Sequence, residues 1–85
     1  MKKFNWNHEK NNQLKRERGI SFEEIVFAIE NGSLLDDVKH HSRDNQRLFV
    51  IFVKDYVYIV PYVEENEESV FLKTIIPSRR PIRDI

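Results

Sequence analysis

Residues 46–63 read QRLFVIFVKDYVYIVPYV, and this stretch decides the fold. It contains two runs of β-branched and aromatic residues, Gln46–Val53 and residues 56–63, which are separated only by Lys54 and Asp55. Runs of this composition are typical of strands, and a connection of this length is typical of a hairpin. The stretch therefore predicts two paired antiparallel strands joined by a tight turn.

Both faces of the first predicted strand are apolar. Leu48, Val50 and Phe52 lie on one face, and the alternate positions on the other face are apolar as well. A strand of this kind is expected at the centre of a sheet that packs on two sides, or at an interface.

The chain beyond this hairpin predicts one more strand. Residues 64–68 contain four carboxylates and predict an exposed loop, and residues 70–76 then return as a third strand of an antiparallel meander. Pro61 has no N–H to donate to a neighbouring strand, so this part of the second strand is expected at a bulge or at an edge.

The chain before the hairpin predicts a short strand around Phe4 and Trp6 and then two helices. The first helix is expected over His8–Arg18, with Asn7 as its N-cap and Gly19 as its C-cap. The second is expected over Phe22–Glu30, because Ser21 and Glu24 form a capping box and apolar residues recur at helical spacing. The Asn-Gly pair at residues 31 and 32 then stops the helix.

These elements predict a single α+β domain over residues 1–85. A short N-terminal strand, two helices and a three-stranded antiparallel meander form one twisted sheet with the helices on one face. The chain lacks cysteine, has no apolar run of membrane-spanning length and begins without a signal peptide, so a cytoplasmic protein is expected. Its formal net charge of zero argues against a general nucleic-acid binder.

Several segments together resemble a known family, the BrnT-type toxins of bacterial type II toxin–antitoxin systems. The segments that carry the resemblance are Phe4-Asn5-Trp6-Asn7 with Lys10 and Asn12, Arg18-Gly19-Ile20-Ser21-Phe22-Glu23-Glu24, Asn45-Gln46-Arg47 and Ile75-Ile76-Pro77-Ser78-Arg79-Arg80. The second of these segments is the most specific, and the four follow the order and spacing of the family.

The resemblance implies a RelE/ParE-like fold and a metal-independent ribonuclease that cleaves mRNA and needs no cofactor. It also implies a cognate ribbon-helix-helix antitoxin as partner, with operator DNA bound only through that antitoxin. Family members continue into a C-terminal helix, and Pro81 predicts that this helix is short or missing here.

Arginines at predicted strand ends are the candidates for binding phosphate. Arg47 stands at the beginning of one strand, and Arg79 and Arg80 follow the last strand. If the strands are antiparallel and their ends coincide, these guanidinium groups converge, and each offers two parallel donors to phosphate oxygens. The alternative is that they are exposed strand ends or contact the carboxylates of a partner.

Proton transfer in such a ribonuclease has few candidates. His40 and His41 lie in a predicted loop, and an imidazole can act as base or acid near neutral pH. Plain solvent exposure is the alternative for both. Lys73, Tyr58 or Tyr62 can replace histidine in this role, or can simply belong to the sheet. No three histidines have the spacing of a metal site.

Two other functions remain open at this point. The first is a toxin fold that has weak or no catalytic activity and acts by binding an antitoxin or co-repressor. The second is a small structural domain that oligomerises through the apolar faces of residues 48–63.

Overall fold

The computed structural model describes residues 3–39 and 46–78, which form two helices and six strands. In chain order the elements are β1 (Lys3–Asn5), α1 (His8–Arg18), α2 (Phe22–Glu30), β2 (Leu34–Lys39), β3 (Gln46–Val53), β4 (Tyr56–Glu64), β5 (Ser69–Leu72) and β6 (Ile76–Pro77). The predicted α+β class is confirmed.

Both helices have the predicted bounds, because their ends carry the predicted caps. Asn7 Oδ1 accepts the backbone N–H of Lys10 at 2.9 Å, and Gly19 ends α1 in the left-handed conformation with φ at 67°. At the start of α2, Ser21 Oγ accepts from the Glu24 N–H at 3.2 Å, and the Glu24 carboxylate accepts from the Ser21 N–H at 3.1 Å. These bonds satisfy N–H groups that have no partner within the helix.

A buried asparagine joins the two helices. Asn11 is 3% exposed, and its Oδ1 accepts from the Phe22 N–H at 2.8 Å while its Nδ2 donates to Glu23 Oε1 at 2.8 Å. The bond from Asn11 lowers the pKa of the Glu23 carboxyl. One side chain of α1 thereby fixes where α2 begins.

The sheet has the strand order β1-β5-β4-β3-β2, and β6 pairs with the free part of β4. The predicted hairpin is confirmed, since β3 pairs with β4 from Gln46 opposite Val63 to Val53 opposite Tyr56. Lys54 and Asp55 both have positive φ, at 57° and 60°, which matches the twist of a two-residue hairpin turn. β1 lies parallel to β5, so the sheet is mixed.

The structure differs from the sequence prediction in two strands. β2 was not predicted, yet Leu34–Lys39 forms the edge strand beside β3, with an irregular register between Leu34 and Asp36. The third strand of the meander is divided into β5 and β6, and its register on β4 shifts by one residue between them.

The division of the third strand lies opposite Pro61. The Lys73 N–H donates to the Pro61 carbonyl at 2.8 Å, and Pro61 has no N–H to return a bond on that side. The predicted irregularity at Pro61 is therefore confirmed.

The core lies between the helices and one face of the sheet. Leu14, Phe22 and Ile25 of the helices pack in one buried cluster with alternate residues of the strands, which are Phe49, Ile51, Val60, Tyr62, Val70 and Leu72. This arrangement confirms that the helices cover one face. The remaining alternate positions of the strands point to the opposite face.

Candidate functional site

A cleft of about 380 Å³ opens on the helix-facing side of the sheet. Its apolar lining comes from four different elements, as Phe4, Ile29, Phe49 and Val70. Its polar lining comes from three adjacent strands and comprises Asp37 of β2, Arg47 of β3, and Tyr62 and Glu64 of β4. Arg47 lies directly opposite Tyr62 in the register, which brings the polar groups together.

Three of these polar residues form a hydrogen-bonded triad, which we define as Asp37, Arg47 and Tyr62. The Tyr62 hydroxyl donates to Asp37 Oδ1 at 2.7 Å. Arg47 Nε lies 3.1 Å from both Asp37 Oδ1 and the Tyr62 oxygen, and a terminal nitrogen of the guanidinium donates to the Asp37 carbonyl at 3.3 Å. These contacts fix the orientation of the guanidinium plane.

The bonds from Arg47 to Tyr62 and then to Asp37 raise the pKa of the Arg47 guanidinium above its ordinary value. The group is therefore a permanent cation. The ion pair with Asp37 is open to solvent, since the side chains are 36% and 38% exposed. Exposed pairs of this kind are weak because water screens the two charges. A phosphate entering the cleft can therefore compete for the guanidinium.

Tyr62 is the most enclosed member of the triad. Tyr62 is 3% exposed, and its ring stacks on that of Phe49. The ring centroids are 3.9 Å apart, and the angle between the ring planes is 9°. Burial, followed by the hydrogen bond to Asp37, raises the pKa of Tyr62 to about 12. The hydroxyl keeps its proton at neutral pH, so in the triad it is a donor and not a base.

The raised pKa of Tyr62 predicts a loss of stability in strong alkali. The pKa of Tyr62 is about 12 in the folded chain, whereas the ordinary pKa of a tyrosine is 10.0. The stabilisation is therefore complete below pH 10 and is lost as the pH rises towards 12. Two pH units correspond to about 2–3 kcal/mol, and screening by water around the exposed Asp37 and Arg47 side chains reduces this to about 1–2 kcal/mol. We expect the free energy of unfolding of the wild type to fall by this much more than that of Tyr62→Phe. Urea unfolding at successive pH values measures the difference, and equal declines would contradict it.

Among the predicted site residues, the structure places Arg47 at the cleft. His40, His41, Arg79 and Arg80 lie outside the described residues, and their roles stay predictions. The segment that contains the two histidines connects Lys39 to Gln46, and Lys39 is the register partner of Arg47.

Convergence of Arg47 with Arg79 and Arg80 was predicted on the condition that their strands are antiparallel, and it stays a prediction because the two later arginines lie outside the described residues. β3 and β6 are both antiparallel to β4, so they run in the same direction, and the beginning of one lies away from the end of the other. Arg47 lies opposite Tyr62, and Pro77 lies opposite Tyr58. These tyrosines are separated along β4 by about 13 Å at ~3.3 Å per residue.

The sequence did not single out Asp37. It lies in β2, which was not predicted, and adjacent aspartates give no strand pattern. Tyr62 was considered only for proton transfer, and the structure places it as a partner of Arg47. Of the other candidates for that role, Tyr58 packs against the core and Lys73 is exposed.

Within residues 3–39 and 46–78, no three histidines or carboxylates are grouped so that they could hold a metal ion. Neither of the two helices in this part of the chain has the length and apolar character needed to cross a membrane.

Comparison with known proteins places the fold. The family model described as "Domain of unknown function (DUF4258)" matches residues 12–77. No curated protein matches the sequence. A solved structure, the Brucella abortus ribonuclease toxin BrnT, superposes with a TM-score of 0.68 at 11% sequence identity. The match covers 94% of this chain and 100% of that chain, so the predicted BrnT-type toxin fold is confirmed.

Proposed function

We propose that this chain, which belongs to the DUF4258 family of domains of unknown function, is an RNA-cleaving toxin of a bacterial type II toxin–antitoxin system. The fold that it shares with a ribonuclease toxin supports the class of function. One observation supports a specific site for this function. The triad holds the guanidinium of Arg47 at a cleft whose volume falls in the range of small-molecule sites.

Cleavage of RNA without a metal ion requires three things of the protein. A base must take the proton of the 2′-hydroxyl, an acid must protonate the departing 5′-oxygen, and fixed cations must stabilise the charge that gathers on the phosphate. Arg47 meets the third requirement. Its Nε–H bonds to Asp37 and Tyr62, so the orientation of the guanidinium group is set before the substrate binds.

We assign the base to Asp37. Its Oδ1 accepts from Tyr62 and Arg47, which positions the carboxylate, and its Oδ2 takes the proton of the 2′-hydroxyl. The 2′-oxygen then bonds to phosphorus as the bond from phosphorus to the 5′-oxygen breaks. The products are a 2′,3′-cyclic phosphate and a 5′-hydroxyl, whose proton comes from His40 or His41. Arg79 and Arg80 provide further contacts to phosphate.

The proposed function includes a partner that holds the toxin inactive. The partner is a ribbon-helix-helix antitoxin encoded beside this chain, and operator DNA is bound only through that antitoxin. The substrate is RNA, which places the activity in the cytoplasm.

Expression of the chain with and without its neighbouring gene product tests this function. Alone, it should arrest growth and produce new RNA ends with 5′-hydroxyls, and co-expression of the antitoxin should suppress both. The purified chain should give the same ends on RNA in the presence of a chelator. Normal growth together with unchanged RNA ends would overturn the nuclease.

A second function is favoured by one observation. Two carboxylates, Asp37 and Glu64, line the cleft beside Arg47, so the described lining carries more negative than positive charge. Repulsion from these carboxylates weakens phosphate binding, which suits a toxin-fold module that only binds its antitoxin. In that case the neighbouring gene product co-purifies with the chain, and expression of the chain alone leaves growth unaffected.

A further inference from the structure

The sheet has a second face that is apolar over all its central strands. Alternation along the strands directs to this face the residues that do not contact the helices. The registers also place Asp36, Gln46 and Asn5 on this face. Its apolar members are Val38, Leu48, Val50, Phe52, Val57, Ile59, Pro61, Val63, Phe71 and Ile76. We name this set the open face.

The described residues leave the open face largely uncovered. None of its members belongs to the buried core cluster or packs against it. Phe52 and Ile76 are 40% and 43% exposed, and the other members except Pro61 are partly exposed. A soluble monomer rarely presents a continuous apolar patch of more than a few hundred Å².

The size of the open face suits a small interface. Four strand widths at ~4.8 Å and eight residues at ~3.3 Å give a patch of about 500 Å² on each copy. Two such patches bury about 1,000 Å², which is close to the lower limit for a specific interface.

We propose that the open face binds a second copy of this chain and forms a symmetric dimer. The members from the two central strands, β3 and β4, include no charged residue, so two copies related by a twofold axis bring no like charges together there. The formal net charge of zero also leaves no overall repulsion between copies.

The chemistry of the open face argues against other occupants. Nucleic acid requires cations that neutralise phosphates, and β3 and β4 present none on this face. A strongly charged protein partner would leave its own charges buried and unpaired against the apolar side chains. An uncharged apolar surface needs no cations and buries no unpaired charge. The open face of a second copy is such a surface.

Sedimentation analysis of the full chain tests the dimer. We expect a reversible monomer–dimer equilibrium with a dissociation constant in the micromolar range, visible between about 1 and 500 µM protein. Phe52→Lys and Ile76→Lys, tested separately, should each raise the dissociation constant at least about tenfold, because each buries an ammonium group in the interface. Both positions are exposed enough in the monomer to leave that group in water.

Phe27→Lys is the matched control. Phe27 is 68% exposed on α2 and is not a member of the open face, so this variant should dimerise like the wild type. Because Phe27 lines a groove together with Phe52, the variant that it is compared with is Ile76→Lys. Circular dichroism and the fluorescence of Trp6 check that each variant is folded. A wild-type chain that stays monomeric over the whole concentration range would overturn the proposal. Dissociation caused by Phe27→Lys but by neither open-face variant would overturn it as well.

Discussion

Arg47→Ala is expected to lower the rate of RNA cleavage by about 10²–10³-fold and to abolish growth arrest. The expected size follows from the loss of a single preorganised donor at a developing anion, which typically costs this much. The expected loss of stability is small, because the side chain is 36% exposed and its ion pair is open to solvent. Rates of cleavage of a short RNA, measured on protein whose unfolding curve has been checked, give the result.

Two further variants separate geometry from charge. Arg47→Lys keeps the cation but loses the planar group that contacts Asp37 and Tyr62 together, so most of the activity should be lost. Lys54→Ala removes a different ion-paired cation, whose Nζ contacts Glu24 at 3.0 Å in another part of the molecule, and should leave cleavage unchanged. Full activity in Arg47→Ala would remove Arg47 from the site.

Phe22→Ala is expected to cause the largest loss of stability, about 3–5 kcal/mol. Phe22 is 0% exposed, and its ring stacks on Trp6 with the centroids 5.7 Å apart. Truncation removes buried apolar contacts and leaves a cavity that the core fills only in part. A chain of this length has a free energy of unfolding of roughly 4–13 kcal/mol, so the substitution removes between about a quarter and all of it.

Phe27→Ala provides the matched control for that measurement. It removes the same atoms from the same helix, at a position that is 68% exposed. We expect a change within about 0.5 kcal/mol. Urea unfolding of the three proteins, followed by circular dichroism, gives both values. Similar losses in the two variants would mean that Phe22 does not lie in the core.

The helices were predictable because their signals are local. Asn7, Ser21 and Glu24 bond to backbone groups within three residues of themselves, so their effect can be read from adjacent letters. The β3–β4 hairpin was predictable for the same reason, since the turn at Lys54 and Asp55 fixes the register of the strands that it joins.

β2 was not predictable from its own residues. Leu34–Lys39 is an edge strand, with neighbouring aspartates and an irregular register, and it lacks the alternation that marks a half-buried strand. Its position is set by pairing with β3, which is information from another part of the chain. The same limit applies to the site, because Asp37 meets Arg47 and Tyr62 only after three strands have paired.

The parallel pairing of β1 with β5 affects when the cleft can exist during protein synthesis. Phe4 and Val70 both line the cleft and are register partners, yet the ribosome produces them near opposite ends of the chain. A nascent chain that has not reached β5 therefore lacks one wall of the cleft. For the proposed toxin, translation itself delays the harmful form, and an antitoxin made at the same time can meet each molecule as it matures.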